Sequence, residues 1–120
     1  QQFSKKLKKK LFHLPIKFRK VPPNSYSSED SFIIFVKNKY QALKCRERLL
    51  KNDIGTKILP EAINWHFAGN WEHIKEIKNQ RRGLMSSKKL LQRCVSIPIF
   101  LKNGYSTTNK IAKILNLELL

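Results

Sequence analysis

The run Phe32-Ile33-Ile34-Phe35-Val36 is the longest unbroken apolar stretch in the chain, and its β-branched and aromatic residues fit a buried central strand. Five residues are far too few to cross a bilayer. A strand of this kind must find neighbours in a sheet and a covering layer. On its N-terminal side Ile16, Phe18 and Val21 alternate with Lys17, Arg19 and Lys20, the period of a half-exposed strand that Pro22 and Pro23 end, and residues 24–30 form a polar turn segment. On its C-terminal side Ile54-Gly55 begins another extended piece. A last strand runs over residues 95–100, where Pro98 cannot donate to a ladder and so suggests an edge or a bulge.

The covering layer is helical. Phe3, Leu7 and Leu11, spaced by four, line one face of a helix whose other face carries lysines. That helix should end near His13, because Pro15 disfavours helix in the residue before it. A second helix from about Lys39 to Lys51 has an apolar stripe of Ala42, Cys45 and Leu49 with Leu43 and Leu50 beside it, and Asn52 and Asp53 tolerate the left-handed turn that ends a helix. Residues 75–83 read as a helix end plus loop. Ser86 or Ser87 is expected to cap a helix to about Arg93 with Leu90, Leu91 and Cys94 facing inward, and Ser106 to Thr108 to cap a final helix on Ile111, Ile114 and Leu115. The order β-β-α-β-α-β-α predicts one domain over residues 1–120, an α/β (α+β) sandwich with a small mixed or antiparallel sheet and helices packed on one face. A chain of 120 residues is long enough to bury roughly two thirds of its unfolded surface.

Twenty-five Lys and Arg against eight Asp and Glu give a formal charge of +17. Such a field attracts nucleic acid or anionic membrane, or it is the solvated surface of a Lys-rich chain with no basic motif of a known reader's spacing. Eight cations and no acid fall within the first twenty residues, a pattern of an edge rather than a groove. Cys45 and Cys94 belong to no Cys-x-x-Cys pair and read as buried free thiols of a reducing cytoplasm, with a single disulfide as the alternative. The first residues lack the apolar core of a signal peptide. The chain begins at Gln1, which suits a fragment of a longer protein.

The chemically expressive residues crowd into Ile54 to Ile74, which holds both tryptophans, two of the three histidines and two of the four glycines. His66 and His73 are seven apart, the same face of a continuous helix, but Gly69 interrupts that helix and no third ligand stands at a spacing suited to zinc. His66, between Trp65 and Phe67, is either an acid/base or hydrogen-bonding group at a pocket rim or a packed histidine. Trp65 and Trp71 flank the Gly69-Asn70 turn and serve equally well as a docking surface for a sugar or planar cofactor and as core anchors. Ser86-Ser87-Lys88-Lys89 matches Ser-x-x-Lys by chance, since the companion motifs of that chemistry are missing. With every glycine isolated and no acid pair placed as a dyad, these residues compose no complete active site.

The succession of Ser31 to Val36, the helix ending in Leu49-Leu50, the Ile54-Gly55-Thr56 turn, the Asn64-Trp65-His66 and Trp71-Glu72-His73 segments, and Leu90-Leu91 leading into Val95-Ser96-Ile97-Pro98-Ile99 resembles the C-terminal small domain of DegT/DnrJ/StrS aminotransferases. The resemblance covers roughly residues 10–118, and Asn64-Trp65-His66 is most similar to members that aminate the 8-position of a 3-deoxy-octulosonate. It implies the small domain of a fold type I pyridoxal-phosphate enzyme: homodimeric, cytoplasmic, moving an amino group from glutamate to a keto sugar or sugar acid. It also implies that His66 touches the sugar, with Trp65, Asn64, Lys57 and Thr56 on the same loop, and that a cationic Lys57 suits an acidic sugar. The aldimine lysine and its aspartate partner belong to a large domain absent from these residues, so this chain alone is expected to bind no cofactor and to be inactive. Ser4 and Lys9 reproduce the family's serine-to-lysine spacing without its motif, and Asn52-Asp53 stands where many members have glycine. The competing expectation is a small basic nucleic-acid-binding protein whose cations converge on a surface containing Trp65 or Trp71.

Overall fold

A computed structural model describes residues 2–57, 62–78, 80, 83–100, 102 and 104–120, with the backbone alone for His66, Lys78 and Tyr105. The elements follow as α1 Gln2–Leu11, β1 Lys17–Phe18, β2 Ser31–Phe35, α2 Lys39–Lys51, α3 Ile63–His66, a 3-10 turn Ala68–Asn70, α4 Lys75–Lys78, α5 Met85–Gln92, β3 Cys94–Pro98 and α6 Tyr105–Leu119. The fold is α+β. Among the described residues the sheet has three strands in the order β1-β2-β3, antiparallel throughout, with the apolar run of β2 at its centre.

The register explains which side chains are covered. Phe32 lies opposite Ile97 and Ile34 opposite Val95, and alternation along both strands sends these four, with Val36, to one face. There they meet Leu7 and Leu11 of α1, Ala42, Cys45 and Leu49 of α2, and Ile111, Leu115 and Leu119 of α6 in one buried cluster. The helix α6 packs against both α1 and α2. Helices therefore cover one face of the sheet, as the periodicity predicts. Full burial of each Leu or Ile here contributes about 1.5–3 kcal/mol. Cys45 and Cys94 are free and buried, the first in this cluster and the second on a residue opposite Phe35, which points to the other face of the sheet.

Several expectations are corrected. The first strand shrinks to Lys17–Phe18, extended by one bond from Arg19 N–H to Ile33 O, because Pro22 and Pro23 offer no N–H to continue it and Val21 stands half exposed. Over its described residues 54–57 the segment from Ile54 is not a strand and is joined to β3 by one bond, Lys57 N–H to Ser96 O, at 2.9 Å. The serines cap nothing. Leu84 and Gly104 precede α5 and α6, neither supplies a side-chain cap, and Ser86, Ser87 and Ser106 fall inside exposed first turns. Leu90 is exposed rather than inward-facing, since the two-turn α5 buries none of its side chains fully.

Pro98 does sit on an edge of the described sheet. Ile99 N–H donates to Asp30 O toward β2, while Ser96 O accepts from Lys57 on the opposite side. Pro98 shares the parity of Ser96, so its donorless nitrogen faces away from β2, where no ladder bond is lost. Among the described residues no helix is long and apolar enough to cross a membrane.

Candidate functional site

The stretch that concentrates the unusual residues begins where α2 stops. Asp53 adopts a left-handed conformation with φ 60°, its N–H bonds Leu50 O, and Ile54 N–H bonds Leu49 O at 2.9 Å. This is the double bond pattern of a Schellman turn, and Ile54 completes it by packing against the core. The chain is thereby aimed along the outer edge of β3. Lys57 Nζ lies 3.5 Å from Asp30 Oδ2, an exposed pair of small energetic value. Thr56 Oγ1 is buried without a partner, as are Ser31 Oγ and Ser96 Oγ; Ser31 and Ser96 are diagonal neighbours on the face turned away from the main core. An unmade bond at such a hydroxyl costs about 1–3 kcal/mol.

Residues 58–61 lie outside the described residues, and the chain resumes in a small separate cluster. Ala62, Ile63 and Phe67 are buried there, outside the main core. Phe67 N–H closes α3 on Ile63 O, Asn70 and Trp71 N–H close the next turn on Phe67 O and Ala68 O, and Asn70 Nδ2 donates to Ile63 O at 3.2 Å. Trp71 Nε1 donates to Trp65 O at 3.0 Å, and its ring stacks on His73 with centroids 6.3 Å apart. Neither tryptophan is a core anchor: Trp65 is 69% and Trp71 37% exposed.

The turn is concave on one side. Phe67, Gly69, Asn70, Glu72, Met85 and Lys88 line a cavity of ≈ 400 Å³ between the 3-10 turn and the start of α5. It offers a carboxylate, an ammonium and an amide beside Phe67 and Met85, a polar set suited to a polyhydroxylated or acidic ligand. Of the residues expected from sequence, Asn64 and Trp65 share α3 and both face solvent, while Thr56 and Lys57 flank β3. None of these four lines the cavity. The His66 backbone ends α3, and its side chain is outside the described residues. Asn70, Glu72 and Lys88 were missed by sequence reasoning. The Gly69-Asn70 turn marked the first two, and Lys88 lay within the dismissed Ser-x-x-Lys match.

His66 and His73 do not share one continuous helix, since the 3-10 turn intervenes, and the described residues contain no group of three or more metal-ligating side chains. They also do not fit a pyridoxal-phosphate site. An aldimine lysine must be desolvated, with an acid across the ring at the cofactor nitrogen, whereas no described lysine is buried and Lys57, Lys44 and Lys51 sit in exposed pairs with Asp30 and Glu47. No protein-family model matches the chain, and no curated protein matches it significantly.

Proposed function

We propose that the chain is the substrate-side C-terminal domain of a pyridoxal-phosphate-dependent sugar aminotransferase of the DegT/DnrJ/StrS type. The observation that carries this reading is the concave edge built by Phe67 to Glu72 with Lys88 opposite, in the stretch that the family resemblance assigns to the sugar. The α+β fold with helices on one face of an antiparallel sheet is compatible with it. In this reading the keto sugar or sugar acid docks against Asn70 and Lys88, with His66, Trp65, Asn64, Lys57 and Thr56 as further contacts in the complete enzyme. Lys88 holds a carboxylate or hydroxyl of the ligand, and Glu72 accepts from its hydroxyl groups. The cofactor, the aldimine lysine and the glutamate site belong to a large domain outside these residues, and the complete enzyme is a cytoplasmic homodimer. No chemical step is assigned to this chain, whose part is to bind and orient the sugar.

The test is to read the coding sequence upstream of residue 1. An in-frame large domain with an aldimine lysine and its aspartate supports the reading, and a start codon with nothing before it overturns it. In the complete enzyme Lys88→Ala should then raise KM for the sugar by roughly 10- to 100-fold, the cost of losing a charged hydrogen bond. The cofactor absorbance should not change.

A further inference from the structure

A strongly basic surface lies along α1, and it shares no lining residue with that cavity. Helix α1 gives its apolar residues Leu7 and Leu11 to the core and turns Lys5, Lys8 and Lys9 to solvent. Two depressions adjoin there and share Lys5 and Lys8. The smaller, of ≈ 190 Å³, adds Arg19 and the hydroxyl-bearing Ser4 and Ser27, with Glu29 as its one acid. The larger, of ≈ 520 Å³, runs over the helix to Phe12, a ring 79% exposed. The lysine cluster thus lines grooves, where the sequence suggested an edge, and the aromatic among the cations is Phe12 rather than Trp65 or Trp71.

Glu29 is the one acid among the residues lining the two depressions, against Lys5, Lys6, Lys8, Lys9 and Arg19. Arg19 Nη2 donates to Ser27 Oγ at 2.8 Å, which fixes the guanidinium without cancelling its charge. Lys8 Nζ stands 5.1 Å from the Phe18 ring centroid, held by a contact that also leaves its charge intact. The acids Asp30, Glu47 and Glu118 are engaged with Lys57, with Lys44 and Lys51, and with Arg48, none of them a residue of α1.

We propose that α1 and the end of β1 form a binding surface for single-stranded nucleic acid, with backbone phosphates at Lys5, Lys8 and Arg19 and a base on Phe12. Cations along a groove beside an exposed ring are the two components of sequence-tolerant single-strand binding. A membrane is the weaker fit, because a helix that lies in a bilayer interface needs an apolar face and α1 has committed Leu7 and Leu11 to the protein core. The β1 edge also stands apart from the Lys57 and Ser96 edge, so this inference does not depend on the transaminase reading.

The test is fluorescence anisotropy of the full chain with a labelled oligothymidylate and a matched single-stranded RNA across 50–200 mM salt. Binding should weaken with salt, and Lys5→Gln/Lys8→Gln/Arg19→Gln should flatten the slope of log K against log salt by about 2, from roughly 0.7 per phosphate released. Phe12→Ala should weaken binding roughly 5- to 150-fold and leave the slope unchanged. Phe12 is exposed, so that variant keeps the fold even if the triple variant loses it. The proposal is overturned by no binding, by an equal loss of slope in the charge-matched control Lys37→Gln/Lys39→Gln/Lys89→Gln, or by preferential binding to phosphatidylserine vesicles.

Discussion

At Gly69 a single hydrogen atom decides whether the cavity wall can form. A Cβ on this residue would lie 2.9 Å from Phe67 Cζ and nearer still to Cε1, and Phe67 is itself buried. The backbone there is not left-handed, so the constraint is space and not φ. Gly69→Ala should therefore cost about 1–3 kcal/mol, read from the urea midpoint. Gly55→Ala, with nothing within 4 Å of the new methyl, should be neutral or stabilising by up to about 1 kcal/mol. The two thiols make a second prediction. Burial, then Glu118, pushes Cys45 up to about 12 despite the opposing Arg48, and burial pushes Cys94 to about 11. Between the ordinary value of 9.0 and these, the unfolded chain has released a proton that the folded chain still holds, so stability falls as pH rises. The contribution is whole below about pH 9. Relative to Cys45→Ala, the chain should lose about 1.4 kcal/mol per pH unit from pH 9 toward 12 in urea titrations. A parallel pH profile for the two proteins would show that Cys45 is not protected.

Among the elements, α2 is the one most fully written in the sequence. Its bounds, its buried stripe of Ala42, Cys45 and Leu49 and the left-handed Asp53 all follow from residue pattern, because apolar spacing and cap chemistry act over a few residues. The start of α2 was legible too, yet unread: Asn38 Oδ1 accepts from Gln41 N–H at 2.9 Å, and Gln41 Oε1 accepts in return from Lys37 N–H at 3.2 Å. Asn-x-x-Gln is a capping box with its return bond moved one residue upstream. Asn38→Ala should lower stability by about 1 kcal/mol, while the neighbouring exposed Lys39→Ala should change it by less than 0.5, both measured by thermal or urea melts. Elsewhere pattern and outcome part. The Ile54 piece had strand residues, but over its described residues 54–57 only Lys57 N–H bonds a strand, and the serines expected to cap α5 and α6 were overrun by the helices. The cavity was not legible as a set, because Asn70, Glu72 and Lys88 meet only after the 3-10 turn folds back on α5, a tertiary event that spacing along the chain does not encode.

For the molecule as a whole, charge and shape act together. The radius of gyration is 15.5 Å, above the about 13.6 Å expected of a compact chain this long, and the extents are 48 × 34 × 25 Å. One layered core with a smaller cluster beside it accounts for the elongation, and it spreads the +17 over more surface than a sphere would. Repulsion remains. Two like charges 20 Å apart cost roughly 0.2 kcal/mol in water, and shortening the Debye length from about 30 Å to about 10 Å cuts that severalfold. Summed over the many pairs that a net +17 implies, the relief is on the order of a few kcal/mol, less the share the expanded unfolded chain also feels. The exposed pair Lys57–Asp30 and the surface pairs of Glu47 weaken in the same salt, but each is worth less than about 1 kcal/mol. Raising NaCl from 10 to 100 mM should therefore raise the urea midpoint, and sulfate at equal ionic strength should raise it further by its exclusion from the surface. The same salt that stabilises the fold should weaken oligonucleotide binding to α1. A midpoint that falls with salt would mean that attractive pairs outweigh the net charge and that the cations are already partnered within the fold.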